Sequence, residues 1–164
     1  MTRLPMLDIE GMSKDIPEGA YHVIGEIITA WSALDRLFLE MLIEAINMDE
    51  GLAGILIGRM DTRGKYDRLI AVHNYKGQSS EMKVLRALRK RINRLQGRRN
   101  DMAHGELIGI HTKSKELLFL VAQFSRDSDS LQPIFHVNGY SMSLLKDTLR
   151  QIRALVTIFR DMTT

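Results

Sequence analysis

Apolar residues recur at every third or fourth position from about Ala20 to Met48, and this long stripe limits what the chain can fold into. Residues spaced in this way lie on one face of an α-helix, so the segment is predicted to be one long amphipathic helix. Such a helix buries its apolar face only when other helices pack against it, which favours a helical bundle. The members of the stripe are Val23, Ile24, Ile27, Ile28, Trp31, Leu34, Phe38, Met41, Leu42 and Ala45.

Four further helices are predicted along the chain. The segments 62–75 and 80–103 have apolar residues at helical spacing, as does the last helix over 144–162, while a shorter helix starts near Asp49. Asp49 is predicted to cap the short helix, Ser79 or Ser80 the helix over 80–103, and Ser141 the last one. Gly105 follows the fourth helix, where glycine is a common stop.

The periodicity changes after Gly105. The segment LIGIHTKSKELLFLVAQF, residues 107–124, is rich in Ile, Leu, Val and Phe and is predicted to form two strands joined at KSKE. A polar turn, SRDSDS, follows. The segment PIFHVNG after it is an alternative candidate for a third short strand. The pattern predicts a single domain over residues 1–164, with a leader segment over 1–18 and a β-hairpin insertion over 106–138 before the last helix.

Composition places the chain among globular proteins, since 45% of its 164 residues are hydrophobic and 26% are charged. It has no cysteine, which removes thiolate metal sites and fits a reducing compartment. No apolar run approaches the roughly 18 residues that a membrane span needs. The N-terminal segment holds acids and prolines where a signal peptide needs an apolar stretch. We therefore expect a cytoplasmic protein without membrane partners.

Basic residues are concentrated in the fourth predicted helix, although the formal net charge is only +3. Eight of them and no acid lie between Lys83 and Arg99. Such a run is usually a solvated helix face, but it also attracts polyanions, which makes Arg91, Arg94 and Arg98 candidates for nucleic-acid binding. Aromatic residues that stack on bases are absent from the run, which argues against reading of single-stranded sequence.

The run ends in RRNDMAHGEL, whose polar residues are placed in an unusual way. Arg99 continues the apolar stripe of Leu88, Ile92 and Leu95 on the helix, where an unpaired charge is costly. Asn100 and His104 are four residues apart and share a face. Arg99 and His104 are five apart and point roughly 140° away from each other on an ideal helix. For both to reach one anion, the helix must unwind near Ala103, or a second subunit must contribute its own copy.

The segment Arg99–His104 resembles the motif of HEPN domains (higher eukaryotes and prokaryotes nucleotide-binding). That motif is an arginine, four to six residues and then a histidine, with a polar residue often directly after the arginine. The string RNDMAHG is similar to the R-N-x-x-A-H-G form common in bacterial members. The resemblance extends over most of the chain in the order of helices, but over only these few residues in identity. It implies a mainly α, HEPN-like up-and-down bundle of about five helices, from which the hairpin insertion departs.

The resemblance also implies an activity. Many HEPN proteins are metal-independent endoribonucleases that act as homodimers, often as toxins or in defence against phage, while others bind a partner protein or nucleotide without catalysis. It implies that His104 is the acid/base, that Arg99 holds the scissile phosphate and that Asn100 orients one of them or the substrate. The partners it implies are a second copy of the chain, RNA if the protein is catalytic, and an antitoxin protein.

The proposed chemistry fits the residue types. Cleavage of RNA through its own 2′-OH needs a proton acceptor, a proton donor and a cation for the phosphate, and histidine and arginine supply these functions. One motif has one histidine, so two proton transfers favour a dimeric site. The alternative to a functional site is an ordinary solvent-exposed helix end, where histidine and arginine interact favourably with the helix dipole. The other histidines show no metal-ligand spacing, so we expect no metal and no cofactor.

Overall fold

The computed structural model describes residues 10–124 and 133–163. The start of the predicted leader and the predicted turn SRDSDS lie outside these residues. Five helices are present in the described part of the chain, in agreement with the predicted number and order. They are α1 (Ala20–Ile46), α2 (Glu50–Leu56), α3 (Thr62–Tyr75), α4 (Ser79–His104) and α5 (Met142–Asp161).

The helix starts follow local capping chemistry. Asp49 and Ser141 cap α2 and α5 as predicted, because each side-chain oxygen accepts a hydrogen bond from a free backbone N–H of the first turn. Asp61 caps α3 in the same way. The predicted capping of α4 by Ser79 or Ser80 is wrong, since the helix already begins at Ser79 after an N-cap residue without a side-chain cap bond.

The core lies between α1 and the helices that pack against it, chiefly α3 and α5. The ring of Phe38 on α1 contacts Tyr66 on α3 and Phe159 on α5, with centroid distances of 5.0 and 4.9 Å. The Tyr66 hydroxyl donates a hydrogen bond to the carbonyl of Leu85 on α4. The apolar stripe that predicted α1 is therefore the centre of the bundle, and its large side chains are almost fully buried.

The strands form more than the predicted hairpin. They are β1 (Met12–Ser13), β2 (Glu106–His111), β3 (Leu117–Phe124) and β4 (Pro133–Tyr140), and they make one antiparallel sheet in the order β1-β2-β3-β4. The segment PIFHVNG, an alternative third strand in the sequence pattern, belongs to β4, which pairs with β3 over eight residue pairs. β1 comes from the predicted leader. It is too short to show an alternating pattern, which is why the sequence did not reveal it.

A glycine allows β1 to approach the sheet. A Cβ atom on Gly109 of β2 would lie 2.4 Å from the backbone oxygen of Ser13 and 2.9 Å from Cγ of Met12. Any other residue at position 109 would push β1 away, so the register that places Met12 opposite His111 and Ser13 opposite Ile110 depends on the glycine.

One face of the sheet closes the bundle. Leu117, Phe119 and Val121 of β3 belong to the hydrophobic core, and we call their side of the sheet the inner face. The antiparallel register gives that face Tyr140, Asn138 and His136 of β4. The sheet thus lies next to the C-terminal end of α4, which carries the motif.

Candidate functional site

The motif residues Arg99, Asn100 and His104 all line one cavity. α4 stays helical through His104 and ends at Gly105, so the helix does not unwind near Ala103, which was one of the two alternatives for bringing Arg99 and His104 to one anion. The arginine side chain is long enough to reach around the helix, and His104 is an exposed residue of the last turn. One chain therefore brings the arginine and the histidine to the same space without a change in the helix.

The cavity has a volume of about 370 Å³ and is largely polar. This volume is near the lower end of the range of roughly 300–1,000 Å³ that is typical of small-ligand sites. Three elements form its walls: α1, the start of α3 with the residues before it, and the last part of α4. The lining residues are Trp31, Ser32, Asp35, Met60, Asp61, Thr62, Gln96, Arg99, Asn100 and His104.

Arg99 is half-buried and only partly satisfied. Its Nη1 donates a hydrogen bond of 3.2 Å to Oδ1 of Asn100. Its Nε is buried and has no hydrogen-bond partner, and neither has the buried Oε1 of Gln96 one turn earlier. An unsatisfied buried polar group costs about 1–3 kcal/mol. Such groups are rare in folded proteins and often mark positions where a ligand or water binds.

Two carboxylates stand on the walls that face α4. Asp35 of α1 accepts a hydrogen bond of 2.6 Å from Nζ of Lys65, and Asp61 accepts one of 2.8 Å from the backbone N–H of Gly64. No ion pair joins either carboxylate to Arg99 or His104 in the described part of the structure. The cation and the two acids thus share the cavity, and a ligand between them would meet both signs of charge.

Sequence reasoning did not identify these two acids as site residues. Asp35 lies outside the apolar stripe of the first helix, and its neighbours along the chain give no signal for a cavity. Asp61 stands directly before a helix start, a position where a capping role could have been predicted from the sequence.

A hydrogen bond of 3.1 Å from the indole N–H of Trp31 on α1 to the hydroxyl of Thr62 on α3 joins two walls of the cavity.

The predicted nucleic-acid-binding arginines are not all on this side of α4. Nη2 of Arg94 lies 3.4 Å from Oε1 of Gln151, and Nη1 of Arg98 lies 3.0 Å from the Thr148 hydroxyl, so both contact α5. Arg91 is half-buried. None of the three lines the cavity. Arg91, Arg94 and Arg98 thus lie outside the motif cavity, and Arg99 is the member of the basic run that lines it.

Asp101, inside the motif, connects α4 to the sheet. Its carboxylate accepts hydrogen bonds from Nδ2 of Asn138, at 2.8 Å, and from the Tyr140 hydroxyl. Burial raises the pKa of the Tyr140 phenol, and the hydrogen bond to Asp101 and its charge raise it further. These contacts fix the end of α4 on the inner face of β4.

Gly105 is required for a close contact. Its φ of −83° is open to any residue, so the left-handed stop that glycine commonly provides does not occur here. A Cβ atom at this position would lie 2.3 Å from the carbonyl oxygen of Asp101 and 3.1 Å from Cγ2 of Val121. The glycine lets the chain turn directly from α4 into β2 against β3.

Other types of site find little support in the described residues. They contain no cluster of three or more metal-ligating side chains and no helix long and apolar enough to cross a membrane. A larger cavity of about 690 Å³ lies between α1 and α5 and includes none of the motif residues.

No protein-family model matches the sequence, and comparison with curated proteins and with solved structures finds no significant similarity.

Proposed function

We propose that this chain is a HEPN-like endoribonuclease that cleaves RNA as a homodimer, without a metal cofactor, in a toxin or antiphage defence role. The observation that supports it most is the meeting of Arg99, Asn100 and His104 at one polar cavity. These are the residues to which the family resemblance assigns roles, and the helix needs no rearrangement to present them together.

The reaction uses the groups at the cavity in a simple way. The 2′-oxygen attacks the adjacent phosphorus, the bond to the 5′-oxygen breaks, and the products carry a 2′,3′-cyclic phosphate and a 5′-hydroxyl. One proton leaves the 2′-OH and another is added to the departing 5′-oxygen. His104 performs one of these transfers and its copy in the second subunit performs the other. Arg99 has an unsatisfied donor and binds the phosphate, whose negative charge grows during the attack.

A second candidate is a non-catalytic HEPN-like module that binds a nucleotide or a partner protein. The observation that favours it is the presence of Asp35 and Asp61 in the cavity beside Arg99. Two carboxylates weaken the attraction of the site for the repeated phosphates of an RNA strand, and a volume of about 370 Å³ suits a single small ligand.

The test is cleavage of end-labelled RNA in the presence of EDTA, with the product ends identified by mass spectrometry. General acid–base groups contribute about 10²–10⁴-fold to a rate, so His104→Ala is expected to lose at least about 100-fold. His73→Ala is the matched control, because this histidine lies in the last turn of α3 and not at the cavity.

Wild-type protein that leaves RNA intact, or His104→Ala protein that cleaves as fast as the wild type, would refute the nuclease. Binding of a nucleotide that depends on Arg99 but leads to no cleavage would support the second candidate. Expression in a bacterial host tests the toxin role, since only the wild type and the His73→Ala variant are expected to stop growth.

A further inference from the structure

The edge strand β4 is exposed to an unusual degree. It ends the sheet on the side opposite β1, and β3 is its only strand partner in the described ranges 10–124 and 133–163. Three of its large apolar residues are exposed, with Ile134 at 52%, Phe135 at 40% and Val137 at 38%. Phe135 and Val137 lie on the outer face and Ile134 on the inner one, because successive residues of a strand alternate.

β4 also lacks the usual protection of an edge strand. Edge strands present unpaired N–H and C=O groups, and proteins commonly block them with lysine, with an internal proline, with a bulge or with short length. The segment PIFHVNGY contains no Lys, Arg, Asp or Glu, and its proline stands only at the first position. Its pairing with β3 runs through all eight residues without a register shift. β1, at the other edge, is only two residues long.

We propose that β4 pairs antiparallel with β4 of a second copy of this chain, so that the two sheets join across a two-fold axis. A two-fold contact places each residue near its own copy, so that any charge in the strand would meet a like charge. β4 has no Lys, Arg, Asp or Glu over its whole length. Its exposed apolar residues lie on both faces, and each gains a cross-strand neighbour when the second sheet continues the first.

This pairing has a consequence for the motif, which rests on the proposed nuclease function. Asp101 is bonded to Asn138 and Tyr140 on the inner face, so the end of α4, which packs on β3, is also attached to β4. A two-fold axis perpendicular to the sheet keeps both inner faces on the same side. Because paired strands are about 4.8 Å apart, the ends of the two α4 helices then lie on the same side of the joined sheet, each within about two strand spacings of the axis. The dimer that the two proton transfers require is formed by the strand to which the motif helix is attached.

A cysteine scan tests the pairing directly, because the chain has no cysteine of its own. Single cysteines are placed at 134, 135, 136, 137 and 138, and disulfide formation is measured under mild oxidation. In a two-fold antiparallel pair, one residue stands opposite its own copy with Cα atoms about 4.5–5.5 Å apart, within the range of a disulfide. A residue two positions away is offset from its copy by about 13 Å. We therefore expect one sharp maximum of cross-linked dimer. Ile55→Cys, at a 77% exposed apolar position on α2, is the control.

A second measurement does not depend on cysteine. Val137→Lys places two ammonium groups near the axis, and the dissociation constant of the dimer, measured by light scattering and sedimentation, is expected to rise by about tenfold or more. Ile55→Lys is expected to leave it unchanged, and circular dichroism checks that both variants fold.

Three results would overturn the pairing: a wild-type chain that is monomeric at the concentrations used, cross-linking no stronger than at position 55, or a dimer unaffected by Val137→Lys. RNA cleavage is not measured in either experiment. A chain that dimerises through β4 but leaves RNA intact would therefore refute the nuclease alone.

Discussion

Replacing Asp35 is predicted to destabilise the protein more than replacing Lys65, although the two residues form one ion pair. The Lys65 side chain is only 4% exposed, whereas Asp35 is 32% exposed and lines the cavity, and Nζ lies 2.6 Å from Oδ2. Asp35→Ala leaves a buried ammonium without its carboxylate, a change that typically costs about 3–5 kcal/mol. Water reaches the pair from the cavity, so we expect the lower end, about 3 kcal/mol of the free energy of unfolding.

Lys65→Met is expected to cost less than about 1 kcal/mol. The methionine fills the buried space with apolar atoms, and the carboxylate of Asp35 that remains is already partly in water. A matched control is Asp67→Ala, which removes the exposed pairs with Arg89 and Arg63 and should cost no more than about 1 kcal/mol.

The assay is urea unfolding followed by circular dichroism, with thermal unfolding as a check. For a chain of this size about 3 kcal/mol corresponds to a fall in Tm of roughly 6–12 °C. Two results would contradict this prediction: a loss of stability in Asp35→Ala no larger than in Asp67→Ala, or a larger loss in Lys65→Met than in Asp35→Ala.

Three shorter predictions concern the end of α4 and the start of α5. Gly105→Ala should destabilise the protein by about 1–3 kcal/mol in urea unfolding, because the added methyl group would clash with the Asp101 carbonyl. Gly97→Ala, at a position of α4 with open space around it, should instead stabilise the protein by about 0.5–1 kcal/mol. The raised pKa of Tyr140 means that the folded state holds this proton longer than the unfolded state, whose tyrosines have a pKa near 10. Stability should therefore fall as the pH rises above about 10, and a denaturation series over that range should show a smaller fall for Tyr140→Phe. Ser141→Ala removes the cap of α5 and should lower the free energy of unfolding by about 1 kcal/mol, and an unchanged urea midpoint would contradict the capping role.

The helices could be predicted from the sequence because their signals are local. The spacing of Ile27, Trp31 and Leu34 reports a buried helix face directly, and all three residues are 2% exposed or less. The caps at Asp49 and Ser141 were found for the same reason, since capping depends on residues three positions apart.

The sheet and the cavity walls could be predicted less well because they depend on residues far apart in the chain. β1 pairs with β2, which lies about a hundred residues later in the chain. A strand of two residues has no sequence pattern from which this pairing could be predicted. Asp35 and Lys65 are 30 positions apart in the sequence, and Trp31 and Thr62 are 31 positions apart. Neither contact can be predicted until the packing of the helices is known. The motif could be recognised from its sequence. That Arg99 and His104 line the same cavity could not be predicted, because it depends on the conformation of the long Arg99 side chain.

The contact between Phe38 and Phe159 has a consequence for how the chain folds during synthesis. It joins helices at opposite ends of the chain, so a nascent chain without α5 lacks the partner of the central stripe of α1. Contacts of such high separation form late, and a ribosome-bound intermediate would expose the stripe to chaperones. We therefore expect the bundle to gain protease resistance only after α5 has left the exit tunnel. The motif helix would be synthesised well before the fold that holds it in place.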